Sequence, residues 1–240
     1  MPSVVRFHKV GGPEVLVVDH IQDFDPGPDE VRIKIQAIGL NRAEAMLRQG
    51  VYHEQPIFPS RLGYEASGII EAVGKNVNSF VIGDRIATVP SFALSQTKQG
   101  VCGESAVVPA EVVTHYPDSI SSVEGAAIWM QYLTAYGALV TYGGLQSKHV
   151  VIITAASSSV GIAAIQIAKC FDSMVIATTR YSNKKEKLID NGADHVIATE
   201  EENIVDSVMK ITNQVGADLA FDPIAGPMLG DLCNCMANHG

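Results

Sequence analysis

Small residues concentrate at Ala155-Ala156-Ser157-Ser158-Ser159-Val160-Gly161, between the apolar run Val150-Val151-Ile152-Ile153-Thr154 and the apolar stretch from Val160 to Phe171. A strand, a tight turn of small residues and a helix, in that order, suit the binding of a pyrophosphate. The backbone bends sharply there and brings its amides against the anion at a helix N-terminus. The pattern G-x-G-x-x-G is only partly kept, with Ala156 and Ser158 at its first two glycine positions and Gly161 at its third. Ser157, Ser158 and Ser159 offer amides and hydroxyl donors in succession. Val160 begins the helix, and Gly161 lets that helix lie close to the strand. Taken alone, the segment also fits an ordinary strand–helix turn with no ligand.

A second group of residues addresses which nucleotide such a turn would hold. The strand Met174-Val175-Ile176-Ala177-Thr178 runs into Thr179-Arg180-Tyr181-Ser182-Asn183-Lys184. An NAD site places Asp or Glu there, roughly 20 residues past the glycine turn, to hold the ribose 2′-hydroxyl. A carboxylate would repel a 2′-phosphate. Arg180 and Lys184 instead flank that position with positive charge, and Thr179 and Ser182 add hydroxyls. The pattern points to NADPH; the alternative is a solvated loop opening a helix.

The elements that must position these residues are legible in the hydropathy pattern. From about Ser121 onward, apolar runs and helical patterns take turns. Ser121 and Glu124 form a capping pair before a helix over Ala126 to Val140. The two buried strands already named are followed by an amphipathic helix at Lys184–Asn191, a short strand at His195–Ile197, a helix at Glu201–Asn213 and a strand at Asp218–Phe221. Such alternation predicts a parallel, doubly wound sheet. The first third reads differently. Val31 to Ile38 alternates with period two, and Gly68–Gly74 and Asp84–Val89 are short apolar runs punctuated by glycine, which predicts a β-rich barrel.

Composition narrows the classes. Of 240 residues 47% are hydrophobic and 18% charged, so a packed core is expected rather than a disordered chain. The formal charge of −9 disfavours nucleic acid as a partner. No apolar run reaches the ~18 residues of a membrane span, and Met1-Pro2-Ser3-Val4-Val5-Arg6 lacks the character of a signal peptide. Cys102, Cys170, Cys233 and Cys235 form no Cys-x-x-Cys pair. A cytoplasmic, reducing location is the expectation.

With these residues in view, the chain resembles the medium-chain dehydrogenase/reductase superfamily, in its zinc-independent quinone oxidoreductase, or zeta-crystallin-like, branch. Gly63-Tyr64-Glu65-Ala66-Ser67-Gly68, then Gly74 and Val77, is similar to the superfamily's G-H-E-x-x-G signature. The stretch from Gly144 to Lys169, Gly11-Gly12-Pro13-Glu14-Val15-Leu16 and Gly39-Leu40-Asn41-Arg42 resemble the quinone oxidoreductase branch. The resemblance implies an α/β protein with a GroES-like β-barrel over residues 1–122 and a Rossmann domain over 123–240. It also implies a Rossmann sheet that stops after its fourth strand, as if the chain were the N-terminal portion of a longer reductase.

What the resemblance implies for the site follows residue by residue. The superfamily's zinc ligands correspond to Asn41, Tyr64 and roughly Met130, none of them a suitable zinc ligand, so no metal is expected. Tyr52 and Asn41 become the candidate catalytic residues: the tyrosine as a hydrogen-bond donor or proton source, the asparagine as an uncharged donor near the nicotinamide ribose. A turn-forming Asn and an exposed loop Tyr are their plain alternatives. Thr134 matches a threonine beside the nicotinamide. Ile224, in the turn Asp222-Pro223-Ile224-Ala225-Gly226 after the fourth strand, is expected to line the same ring through its backbone. Trp129 and Tyr132 are expected in the core.

The implied activity is NADPH-dependent hydride transfer to a small-molecule quinone or α,β-unsaturated carbonyl. An enoyl-thioester reductase and a non-catalytic NADPH-binding protein are the alternatives. Relatives pair as homodimers through the outer edge of the Rossmann sheet, and the expected absence of that edge counts against the same dimer here.

Overall fold

Period-two alternation in the first half of the chain becomes antiparallel sheet. The computed structural model describes residues 1–22 and 24–240, and the chain divides into two compact units, Met1–Met130 and Gln131–Gly240. In the first unit β1 (Ser3–Phe7) and β2 (Leu16–His20) form an antiparallel ribbon. Strands β3 (Glu30–Ile38), β4 (Ala66–Val73), β5 (Arg85–Thr88), β6 (Ser105–Pro109) and β7 (Val113–His115) form a five-stranded sheet in the order β6-β3-β4-β5-β7. Val31 and Ile33 of β3 meet Ile70, Ile86, Ala106 and Val108 in one fully buried cluster, each such side chain contributing about 1.5–3 kcal/mol on burial. Three helices join these strands: α1 (Arg42–Gln49), α2 (Gln96–Gln99) and α3 (Ser122–Gly125). Ser121 caps α3 by accepting the Glu124 N–H, and Glu124 returns to the Ser121 N–H, the reciprocal pair read from the sequence.

The helix expected over Ala126–Val140 is not continuous. After α3 the chain breaks, restarts as α4 (Trp129–Tyr136) and widens into a π-helical stretch at Gly137–Tyr142. The restart has a local cause: a Glu65 carboxylate oxygen accepts the N–H groups of Trp129 and Met130 and so satisfies donors a helix start leaves open. Nothing in the spacing of residues 126–140 could reveal an acid supplied from so far up the chain.

The second unit is a parallel sheet of β8 (Val150–Ile153), β9 (Met174–Thr179), β10 (His195–Ala198) and β11 (Leu219–Phe221), ordered β10-β9-β8-β11. Its strands are largely apolar because both faces are covered. Val151, Ile153, Val175 and Ala177 enter one core, and Ile152 and Ile176 enter another on the opposite face. The helices are α5 (Ser159–Cys170), α6 (Lys185–Asp190), α7 (Ile204–Ile211) and α8 (Leu229–Asn234). Through Ala163, Ala164, Ile165 and Ala168, α5 buries its flank in the first of these cores. Tyr132 packs against the same core, its hydroxyl paired with Gln166. Among the described residues no helix is long and apolar enough to cross a membrane.

Candidate functional site

The order β10-β9-β8-β11 reverses direction between β8 and β11, and ligands of such sheets bind beyond the carboxyl ends of the strands at that point. A cleft of about 630 Å³ lies there. Its floor comes from the ends of β8 and β9, at Thr154, Thr178 and Thr179, and its walls from the turns that follow β8, β9, β10 and β11.

The turn after β8 is built for close approach. Ala155 has φ +44°, the left-handed region that normally favours glycine. Ser158 caps α5, its Oγ accepting the Gly161 N–H at 3.1 Å. A Cβ on Gly161 would stand 2.6 Å from Ala156 Cα, 2.7 Å from Ala156 O and 2.8 Å from Ala155 O. All three are backbone atoms, so only glycine lets the helix start against the turn. The residue that the depleted glycine pattern retained is the one whose side chain has no space.

Among the expected nucleotide residues, Ser157, Ser158, Thr179, Arg180, Lys184 and Ile224 line the cleft. Ser159, Val160 and Gly161 form the first turn of α5 behind it. Ser182 lies outside the lining, its N–H and hydroxyl both turned to Glu201. The helix expected from Lys184 starts instead with a 3-10 turn at Ser182–Lys184, with α6 beginning at Lys185. Lys184 Nζ reaches back across the cleft to Ser157 Oγ at 3.3 Å, linking the two turns, and Arg180 is exposed at the end of β9. Thr134 sits on α4 and is not among the residues that line this cleft.

The cleft also uses residues that the sequence reading passed over. Thr199 and Glu200, beyond β10, and Tyr181, Asn183 and Met228 complete its walls. Thr154 Oγ1 donates to Asp222, whose other contact is with the Ile224 N–H at 3.2 Å, so the β8 and β11 turns are tied together. The rule that ligands sit beyond strand carboxyl ends would have found Thr199 and Glu200, had it been applied to β10 as it was to β11.

The first unit holds the other two candidates. Asn41 is the N-cap residue of α1, and the Glu44 carboxylate takes its N–H at 2.7 Å. Its Nδ2 donates to Glu65 Oε2 at 3.2 Å, so Asn41 belongs to a buried carboxylate cluster. Glu44 also accepts the Tyr64 N–H, and burial raises its pKa above the ordinary glutamate value of 4.5. Tyr52 is half-buried, stacked on His53 with ring centroids 4.1 Å apart and edge-on to Tyr64 at 6.4 Å. Burial pushes the Tyr64 phenol well above its usual value, so it stays protonated at neutral pH.

The positions matching superfamily zinc ligands do not fit a zinc ion. Asn41 offers an amide already donated to Glu65, Tyr64 a neutral phenol and Met130 a thioether, while Glu44 and Glu65 are committed to N–H donors. Among the described residues no group of three or more His, Cys, Asp or Glu converges to hold a metal.

Comparison with known proteins gives consistent matches. The alcohol dehydrogenase GroES-like domain family matches residues 27–153, and the zinc-binding dehydrogenase family matches residues 159–240. The quinone oxidoreductase of Sus scrofa is 32% identical over 239 residues, which is 99% of this chain and 71% of that protein. Among solved structures, the Escherichia coli quinone oxidoreductase complexed with NADPH aligns with a TM-score of 0.89 at 28% identity, over 99% of this chain and 71% of that one. An NAD-dependent alcohol dehydrogenase aligns with a TM-score of 0.94 at 32% identity, over 100% of this chain and 76% of its own.

Proposed function

The chain belongs to the medium-chain dehydrogenase/reductase superfamily, in its quinone oxidoreductase branch, and from that premise we propose that it is an NADPH-dependent, zinc-independent reductase of quinones or α,β-unsaturated carbonyls. The observation that carries the cofactor choice is the cleft wall at the end of β9. Arg180 and Lys184 stand where a ribose-binding carboxylate would otherwise be, and Ser157 lies within reach of Lys184. A 2′-phosphate there gains charge-assisted hydrogen bonds; an unphosphorylated ribose finds no carboxylate at the end of β9 to accept its hydroxyls. NADPH, when bound, supplies the hydride.

The chain's own residues supply binding, orientation and a place for developing charge. The amides of Ser157, Ser159 and Val160, at the N-terminus of α5, hold the pyrophosphate, with the hydroxyl of Ser158 still free to donate while its oxygen caps the helix. Thr134 and the Ile224 turn hold the nicotinamide end. Asn41 donates an amide hydrogen to the acceptor's carbonyl oxygen, and Tyr52 presents its phenolic O–H as the hydrogen-bond donor or proton source. No step needs a Lewis acid. The reading is supported by the buried carboxylates of Glu44 and Glu65, which are engaged in hydrogen bonds with Asn41 and Tyr64.

The NAD-dependent relative makes cofactor choice the decisive measurement. Titration of the purified chain with NADPH and with NADH, followed by nicotinamide fluorescence, is expected to give at least tenfold tighter binding of NADPH, the worth of about one charge-assisted contact. Equal affinities would remove the roles given to Arg180 and Lys184.

A further inference from the structure

Glu65 is 2% exposed, and an unpartnered carboxylate at such a depth costs several kcal/mol. Its two oxygens are used differently. Oε1 accepts the Trp129 N–H at 2.6 Å and the Met130 N–H at 3.1 Å, at the start of α4, where open donors and the helix dipole both favour an anion. That end alone settles the charge. Oε2 is left to face the Asn41 amide at 3.2 Å. Space for this arrangement is reserved just after β3: a Cβ on Gly39 would lie 2.6 Å from Glu65 Oε2 and 2.3 Å from Ala126 O, so any side chain there would displace the carboxylate.

We propose that Glu65 is a positioning residue for Asn41, fixing its side-chain amide so that one Nδ2 hydrogen is held and the other points outward as the donor. An ionised carboxylate only accepts hydrogen bonds, so the nitrogen of the amide, and not its oxygen, must face it. The capping box at Asn41 and Glu44 fixes the backbone beneath. An asparagine on a loop would otherwise rotate between two faces of opposite polarity; here one orientation is selected before any substrate arrives. The inference builds on the reading of Asn41 as the donor to the acceptor's carbonyl oxygen, and its test separates the two.

Glu65→Gln keeps an oxygen for Trp129 and Met130 but sets an amide NH₂ against Asn41 Nδ2. In side-chain amide NMR spectra of the full chain, one Asn41 Nδ2 hydrogen should be protected from exchange in the unsubstituted protein and lose that protection in Glu65→Gln. With NADPH and 1,4-benzoquinone, kcat should fall about tenfold with the NADPH KM unchanged. The double substitution Glu65→Gln with Asn41→Asp rebuilds the contact with donor and acceptor exchanged. It should restore Tm but not kcat, because aspartate has no N–H to offer. Recovery of kcat together with Tm would reduce the contact to structural glue and overturn the proposal. Unchanged Asn41 protection in Glu65→Gln would overturn it as well. Should Glu65→Gln not fold, the unsubstituted spectrum decides: two Nδ2 hydrogens exchanging equally fast refute the hold. Asn41→Ala with full kcat would instead refute Asn41 as the donor, while the exchange data still report on Glu65.

Discussion

At the scale of single residues, the buried acids of the first unit make a distinctive demand on pH. Glu44 is raised by burial above 4.5, with the nearby Glu65 adding to the shift, although the N–H groups of Asn41 and Tyr64 pull the other way. The folded chain therefore binds this proton more readily than the unfolded chain, so ionising Glu44 works against folding as pH rises from 4.5 through its raised value. Most shifted carboxylates of the molecule behave oppositely: Asp19 is lowered by Arg6, and Asp84 by the Val81 N–H, so their stabilisation is lost in acid. Urea unfolding of the unsubstituted chain and of Glu44→Gln across pH 4 to 7 should show the variant gaining relative stability as pH rises through that window. Parallel profiles would mean that folding leaves the Glu44 pKa unshifted. The Asn41–Glu44 spacing announces this acid at a helix start but not its burial, which depends on Tyr64 on a distant segment.

At the scale of elements, the contact between the β8 turn and α5 is the part of the nucleotide site most exposed to a single substitution. A methyl on Gly161 meets backbone atoms of Ala155 and Ala156 that have no slack, so Gly161→Ala should destabilise by about 1–3 kcal/mol. It should also weaken NADPH binding more than tenfold, read by thermal unfolding and by titration. Retained affinity at lowered Tm would separate helix packing from cofactor binding. This contact was legible in part: small residues between an apolar strand and an apolar helix fit a ligand-free turn as well, but Gly161 stood at the position where packing is tightest. The strands β8 to β11 were legible for the same reason, since burial on both faces leaves uninterrupted apolar runs. The break between α3 and α4 was not, because Glu65 supplies the new helix start from β4's side of the unit. The wall at Thr199 and Glu200 was legible only from its place beyond the end of β10, because it carries no residue type that marks a nucleotide site. The helix over Glu201–Asn213 shrinks to Ile204–Ile211 because Asn203 takes the cap, accepting the Asp206 N–H at 3.0 Å.

At the scale of the whole molecule, the proposed cofactor is an anion and the chain carries a net charge of −9. The long-range field opposes the encounter, and local positive charge at the cleft must overcome it. Lys184 rests on a neutral hydroxyl, that of Ser157, so an arriving phosphate has no ion pair to break at that lysine. The proposed preference for the phosphorylated nucleotide rests on nearly bare charge at the surface, and such charge is screened over about 10 Å at 0.1 M salt and about 3 Å at 1 M. Selectivity should therefore be tunable by the solvent. The ratio of NADH to NADPH dissociation constants, measured from dilute buffer to 1 M sodium chloride, is expected to shrink steadily, with the loss falling on NADPH. A ratio indifferent to salt would place the discrimination in shape rather than charge. On this view the chain is a strict reader of the 2′-phosphate in dilute solution and a lenient one in brine.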